Sequence, residues 1–430
     1  MPVSWTSCVR KRTSNGRTTP SVRRSSRSIG PSGSPAALSK GPAPAASPVA
    51  SAPRAPGATA GTKALSMTRK TRIDTITLDH PYALAPMAGM TDTAFRRLVK
   101  ARGGCGLVVT EMVSSEGLVR GIDRTLEYAE YTEEERPVSI QIFGGDPGKM
   151  AAAAQVVEGM GADIVDVNMG CPVPKIAKHN AGCSLMREPP HAASVVRAMT
   201  DAVSIPVTVK MRAGWDEKTI NAPEVARRME NAGAAAVAVH GRTARQSYTG
   251  SSDWELIDRV AAGVSVPVFG SGDCVTPEQA VEWTGATRVA GVLIGRGALR
   301  NPWIFQQAAA LAEGGDPPEV ALADRGRFLL DYIDLLLREG EDEAAGFRHV
   351  APGEGAARRR PSRTRQSRER WVINKLRALG SWYTKGEHGG ALLRTAINRA
   401  GSIDELRGII RGHYLESDDA PVGAAVALSA

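Results

Sequence analysis

Ile164–Met186 reads IVDVNMGCPVPKIAKHNAGCSLM, a short apolar run, then a turn, then a long loop with two cysteines. Ile164–Met169 has the length and composition of a buried strand. Gly170 permits a sharp turn behind it and Pro172 stiffens the loop. Seven more runs of the same kind flank this one. Upstream lie Ala83–Met87, Leu107–Met112 and Val138–Phe143; downstream lie Val207–Arg212, Ala236–Arg242, Val266–Gly272 and Gly291–Arg296. Turn residues bound each run, and helix-like segments such as Pro147–Gly159 and Pro223–Ala232 separate them. Near-continuous apolar strands alternating with helices predict a parallel sheet covered on both faces. Eight such units over about 240 residues predict an α/β fold, a (β/α)8 TIM barrel, with a doubly wound open sheet as the alternative. The step from strand to strand is mostly 24 to 31 residues, but 43 from Ile164 to Val207. That step holds the quoted loop, which makes it a candidate functional lid.

Polar residues cluster where the runs end: Glu111, Gln141, Asn168, Lys210, Arg212, His240, Arg242, Asp273 and Arg296. In barrel enzymes that face carries the active site. Lys210 is placed to stabilise negative charge on a reduced flavin ring or an enolate, or else to pair with Glu111 or Asp166. His240 is a ring or phosphate contact, a general acid, or a satisfied hydrogen-bond partner. Ile294–Leu299, IGRGAL, follows the eighth run, where glycines let backbone N–H groups approach a phosphate. Cys171 follows the fourth strand directly, which holds its thiol over the barrel mouth as a candidate proton donor, with Lys175 near enough in sequence to tune it. Cys105, Cys183 and Cys274 read as small buried hydrophobes. Cys171, His179 and Cys183 lack the close pairing of a structural zinc site, so no metal is expected.

The chain has 430 residues and five scattered cysteines without a CxxC pair, which points to a reducing, cytoplasmic setting. No apolar run reaches 18 residues, so no membrane helix is expected. The net charge of +9 is uneven. Residues 1–70 carry twelve Lys or Arg and no acid, and 346–370 carry eight Arg against two Glu. The remainder is acidic. Residues 1–70 read as a disordered basic low-complexity tail; over 1–66 the composition also resembles a transit peptide, although repeated prolines break any helix there. We expect the working protein to begin near Met67. The barrel is expected over 71–315. A helical domain with the Arg-rich insert 346–370 is expected over 316–415, and a disordered terminus over 416–430. The insert either binds a phosphate backbone or is a solvated linker.

Ala85–Asp92 (APMAGMTD), Thr110–Met112 (TEM), Gln141–Pro147 (QIFGGDP), Asp166–Ile176 (DVNMGCPVPKI) and Val209–Trp215 (VKMRAGW) together resemble tRNA-dihydrouridine synthases. His240–Gly250 (HGRTARQSYTG), Phe269–Asp273 (FGSGD), Ile294–Phe305 (IGRGALRNPWIF) and Ser381–Gly386 (SWYTKG) extend the resemblance, which is strongest to the bacterial B-type branch. It covers 73–310 closely and the helical part more loosely. The resemblance implies an FMN barrel with a helical domain that grips tRNA, acting as a monomer. It implies FMN contacts by Pro86, Met87, Ala88, Gln141, Lys210, His240, Ser271, Gly272, Asp273, Gly295 and Arg296. It implies NADPH as the reductant of the flavin, Cys171 as proton donor to C5 of the uracil, and Asn168, Lys175 and Arg242 around the base.

This chain departs from the family pattern at Ser271, where Asn is common, and at Ala378-Leu379, where many members have Lys-His. Cys183 stands where the family has a small residue, which fits packing at the far end of the loop. Two other functions are compatible with a barrel of this kind. One is a flavin enzyme acting on a small molecule, such as a dihydroorotate-dehydrogenase-like enzyme; the other is a non-catalytic RNA-binding protein. The basic helical part argues against the first, and the intact Cys171, Lys210 and phosphate loop against the second.

Overall fold

A computed structural model describes residues 71–177, 180–339, 344, 346–350 and 364–416. The expected tail over 1–70, most of the Arg-rich insert and residues 417–430 lie outside the described residues.

Eight parallel strands close into a barrel: β1 (Tyr82–Leu84), β2 (Leu107–Val109), β3 (Val138–Phe143), β4 (Ile164–Met169), β5 (Val207–Arg212), β6 (Ala236–His240), β7 (Val268–Ser271) and β8 (Gly291–Ile294). Pairing runs in chain order, and β8 returns to β1 through Val292–Tyr82 and Ile294–Leu84. The fold is the (β/α)8 barrel that the rhythm of the chain predicts, not the open sheet.

The period-two geometry of a strand sorts each run into two faces. In β4, Val165, Val167 and Met169 join the large core under the surrounding helices, whereas Ile164 packs inside the barrel. Ala83, Leu107, Ala236, Phe269 and Leu293 share that inner cluster. Ile73 and Leu78 fill it from below; they belong to an antiparallel hairpin, Thr71–Ile73 with Ile76–Leu78, that precedes β1. Higher on the same inner face stand Ser139, Gln141, Asp166, Asn168, Thr208, Lys210 and His240. So the barrel interior is apolar below and polar above.

Helices α1 (Thr93–Ala101), α2 (Pro147–Gly159), α3 (Pro189–Thr200), α4 (Ala222–Asn231), α5 (Trp254–Ala262), α6 (Pro277–Ala286) and α7 (Ile304–Ala312) surround the strands. Four of the seven start with a side-chain cap: Asp92, Asp146, Asp253 and Thr276 each accept a first-turn backbone N–H, which typically stabilises a helix by about 1 kcal/mol.

Beyond the barrel the chain continues in α8 (Leu322–Arg338), α9 (Arg365–Tyr383), α10 (Gly390–Arg399) and α11 (Ile403–Tyr414). They share one continuous core with the barrel. The joint is aromatic: Phe95 of α1 meets Phe328 and Tyr332 of α8 edge-on at 5.9 and 6.3 Å, and Phe328 stacks on Tyr383 of α9. Truncating a side chain this buried typically costs about 3–5 kcal/mol, so the helices are fixed to the barrel rather than tethered. The chain between α8 and α9 also returns to the barrel. Arg348–His349 pairs antiparallel with Tyr131–Thr132, and the His349 ring stacks on Tyr131 at 4.5 Å.

Candidate active site

The polar upper interior opens into a cavity of about 610 Å³ at the C-terminal ends of the strands. Pro86, Met87, Ala88, Gln141, Asn168, Cys171, Lys210, His240, Ser271, Gly272, Asp273, Gly295 and Arg296 all line it. Residues separated by up to 210 positions in the chain thus converge on one space.

A hydrogen-bonded chain runs across its floor. Thr208 Oγ1 donates to Asp166 Oδ1 at 2.6 Å, and Gln141 Nε2 to Asp166 Oδ2 at 2.7 Å. Gln141 Oε1 accepts from Asn168 Nδ2 at 2.7 Å. Asn168 Oδ1 then accepts the backbone N–H groups of Gly170 and Cys171 at 3.1 and 2.9 Å. A buried network that is satisfied throughout is stiff. Here it extends from β5 through β4 and β3 to the turn that carries the Cys171 thiol.

Lys210 stands apart from this network. Among the described residues, no hydrogen bond or ion pair engages its ammonium. The two expected partners are occupied elsewhere: Asp166 in the floor, and Glu111 with Lys375 of α9 at 3.5 Å. An unpaired ammonium in a partly buried cavity wall is costly unless a ligand meets it. Arg212 and Arg296 also line the cavity, with Asp273 as the carboxylate among the lining residues, so the space is electropositive. His240 is neutral there. Burial, then the charges of Lys210, Arg212, Arg242 and Arg296, push its pKa down to about 2. Its Nδ1 accepts the Arg242 backbone N–H at 3.3 Å, which leaves Nε2 to carry the ring proton.

The thiol of Cys171 is held protonated. Burial raises its pKa, opposed by a backbone hydrogen bond at Val173 and by Arg212. Arg212, not Lys175, is the cation that acts on it. Arg212 Nε donates to Gly170 O at 2.8 Å, while the turn after Pro172 carries Lys175 out to an exposed position on the short helix Pro174–Ala177. Lys175 therefore does not line the cavity. Arg242 does not line it either: its guanidinium is buried, bonded to Thr249 O at 3.0 Å and to both Asp273 oxygens at 2.8 Å. Asp273, with φ of 55°, and Gly272, with φ of 119°, make a left-handed turn there. Trp254 Nε1 donates to Gly272 O at 3.0 Å, and a Cβ on Gly272 would lie 2.3 Å from Ser252 Oγ. Only glycine fits that position.

The two cysteines of the long loop are both free thiols. Cys183 is fully buried, as expected of a packing residue, but it is not at the loop's far end. The loop folds back and the Cys183 N–H donates to Cys171 O at 3.0 Å. Two lining residues, Tyr248 and Trp382, escape a reading of strand ends alone. Arg212 is visible as a strand-end cation, but without a role; Nη1 ties it to Thr243 O and Ser247 O. Tyr248, 59% exposed, lies between the Arg212 and Arg296 guanidinium groups at 5.7 and 4.7 Å. Trp382 reaches the cavity from α9. Among the described residues no group of three His, Cys, Asp or Glu is arranged to hold a metal, and no helix is long and apolar enough to cross a membrane.

A family model described as dihydrouridine synthase matches residues 83–371. A probable tRNA-dihydrouridine synthase of Rhodobacter capsulatus is 44% identical over 268 residues, which span 62% of this chain and 82% of that protein. The tRNA-dihydrouridine synthase B of Pseudomonas aeruginosa is 41% identical over 273 residues, 63% of this chain and 82% of its own. That of Xanthomonas axonopodis pv. citri is 36% identical over 332 residues, 77% of this chain and 92% of its own.

Proposed function

The chain belongs to the dihydrouridine synthase family, and on that premise we propose that it reduces the C5=C6 bond of specific uridines in tRNA with FMN as resident cofactor. The observation that carries the reading is a shared cavity: the unpaired Lys210 ammonium and the protonated Cys171 thiol face the same space, with a rigid network between them.

The residues fit a flavin mononucleotide. Pro86–Ala88 and Gly295 line the cavity, and at Gly295 no side chain stands between backbone and cavity. Lys210 offers charge to the electron-rich edge of the ring, next to the Gln141 amide. His240 Nε2–H, the Ser271–Asp273 turn and Arg296 supply donors and positive charge for the phosphate end. Bound there and reduced by NADPH, FMN would supply the hydride for C6 of the uracil.

Cys171 then transfers its thiol proton to C5, so that hydride and proton together saturate the bond, and the thiolate is reprotonated from solvent. Asn168 keeps the thiol at the cavity through its two turn hydrogen bonds. Arg212 stabilises the thiolate left behind. The base has to leave its stack for both carbons to be reached. Lys175 and Arg242 serve this step from outside the lining, Lys175 toward RNA and Arg242 by holding Asp273 and the Thr249–Gly250 segment. The helical region is the tRNA grip; the enzyme acts as a cytoplasmic monomer.

Purified protein should be yellow. Cys171→Ala should lower dihydrouridine formation by at least about 100-fold, the range of a lost general acid, with flavin absorbance unchanged. Cys183→Ala should stay within a few-fold of wild type. A colourless protein that cannot be loaded with flavin, or full activity in Cys171→Ala, would overturn the proposal.

A further inference from the structure

Lys375 belongs to α9, outside the barrel, yet its side chain, only 11% exposed, packs against the first strand-to-helix loop. Nζ donates to Gly89 O at 3.0 Å and lies 3.0 Å from Asp92 Oδ2 and 3.5 Å from Glu111 Oε1. Glu111 Oε2 in turn accepts the Gly89 N–H at 2.6 Å. Both backbone groups of Gly89 are thereby fixed, one by the barrel and one by the helical region. Gly89 has a φ of 80° and needs such support, because its backbone has more freedom to lose than any other residue. The flanking residues Ala85, Pro86, Met87, Ala88 and Met90 form one wall of the cavity. Asp92 closes the clasp. It caps α1 through the Phe95 N–H at 3.0 Å and accepts the Tyr332 hydroxyl of α8 at 2.7 Å.

Burial opposes the charge on Lys375, but Asp92 and Glu111 outweigh it and raise its pKa above that of an ordinary lysine. The ammonium therefore stays charged at neutral pH. Glu111 Oε1 has no hydrogen bond among the described residues, so the ammonium is what compensates it.

We propose that Lys375 is a positioning residue: its ammonium, carried by the helical region, holds the Ala85–Met90 wall in place and so couples the seating of that region to flavin binding. The coupling rests on the reading that this cavity holds FMN. Because coupling between sites is reciprocal, flavin binding also tightens the seat of α9. The loop is local, so removing the ammonium loosens Gly89 without unfolding the barrel.

The test compares wild type, Lys375→Met, Lys375→Arg and the double variant Glu111→Gln/Lys375→Met. The double variant removes the carboxylate that the single one leaves buried and uncompensated, and so guards against loss of folding. Flavin affinity is measured by titrating apoprotein with FMN. Amide exchange at Gly89–Thr91 is measured on the same proteins without flavin. Lys375→Met is expected to weaken FMN binding and speed Gly89 exchange, each by about tenfold, within the usual range of coupling between linked sites. Exchange in the α3 and α4 amides should not change, which a general loss of stability would not allow. Lys375→Arg, which keeps the charge and the donors, should lose less than Lys375→Met. If the folded Lys375→Met and double variants bind FMN like a flavin-binding wild type, the coupling is overturned alone. If the wild type binds no FMN, the functional reading falls and the coupling with it.

Discussion

Burial and the Arg212 guanidinium pull the Lys210 pKa down to about 8, against the opposing pull of Asp166 and Cys183. Below that pH the ammonium is charged and attracts an electron-rich ring edge; above it, the attraction is lost. FMN affinity should therefore fall as pH rises through 8, with a midpoint displaced upward in the complex because the ligand favours the charged form. Lys210→Met should weaken binding by about 10- to 100-fold, the worth of a hydrogen bond to a charged group, and flatten the pH dependence. Fluorescence titrations at several pH values check both. Lys210 was legible in the sequence because packing alone gives no reason for a polar residue to close a buried strand. Gln141, Asn168, His240 and Cys171 were legible on the same ground. Tyr248 and Trp382 were not. One lies in a loop with no period and the other on a helix whose barrel-facing side only the tertiary fold decides. The sequence neighbours Cys171 and Lys175 suggested an interaction that the turn at Pro172 undoes.

At the scale of elements, the eight strands and most of their helices follow from an apolar rhythm that is local and repeated. Short pairings do not. The strand Arg348–His349 meets Tyr131–Thr132 across more than 200 residues, and nothing within either dipeptide signals the other. That pairing changes how the Arg-rich insert has to be tested. Arg348 lies within 4 Å of Glu130 and Glu339, and His349 Nδ1 lies 3.2 Å from Met160 O. Deleting all of 346–370 would remove these interactions and the start of α9 as well. Deleting 351–363 alone removes Arg358, Arg359, Arg360 and Arg363 and leaves the pairing. The shorter deletion should weaken tRNA binding and reduce the slope of log affinity against log salt by about one for each phosphate that is no longer neutralised. Its melting temperature should match that of wild type. An unchanged slope would make the segment a linker.

For the whole molecule, the charge count alone misleads. The excess of Lys and Arg lies in 1–70 and 346–370, and the barrel with its helices is acidic apart from the cavity. The continuous core that joins α8–α11 to the barrel means that the helical region and the cavity are parts of one rigid frame. Composition along the chain shows the change from alternating strands and helices to helices alone. It does not show that Phe95, Phe328, Tyr332 and Tyr383 weld the two regions, because those rings come from separate periodic segments. The hairpin before β1 has a consequence of a different kind. Among the described residues, Ile73 and Leu78 plug the lower end, which leaves the cavity mouth at the C-terminal ends of the strands as the open side of the barrel. In the proposed reaction, reductant and uracil would both enter by that mouth, one leaving before the other arrives. Double-reciprocal plots of initial rate at several fixed tRNA concentrations should be parallel lines, and lines that intersect would show that the two occupy the cavity together.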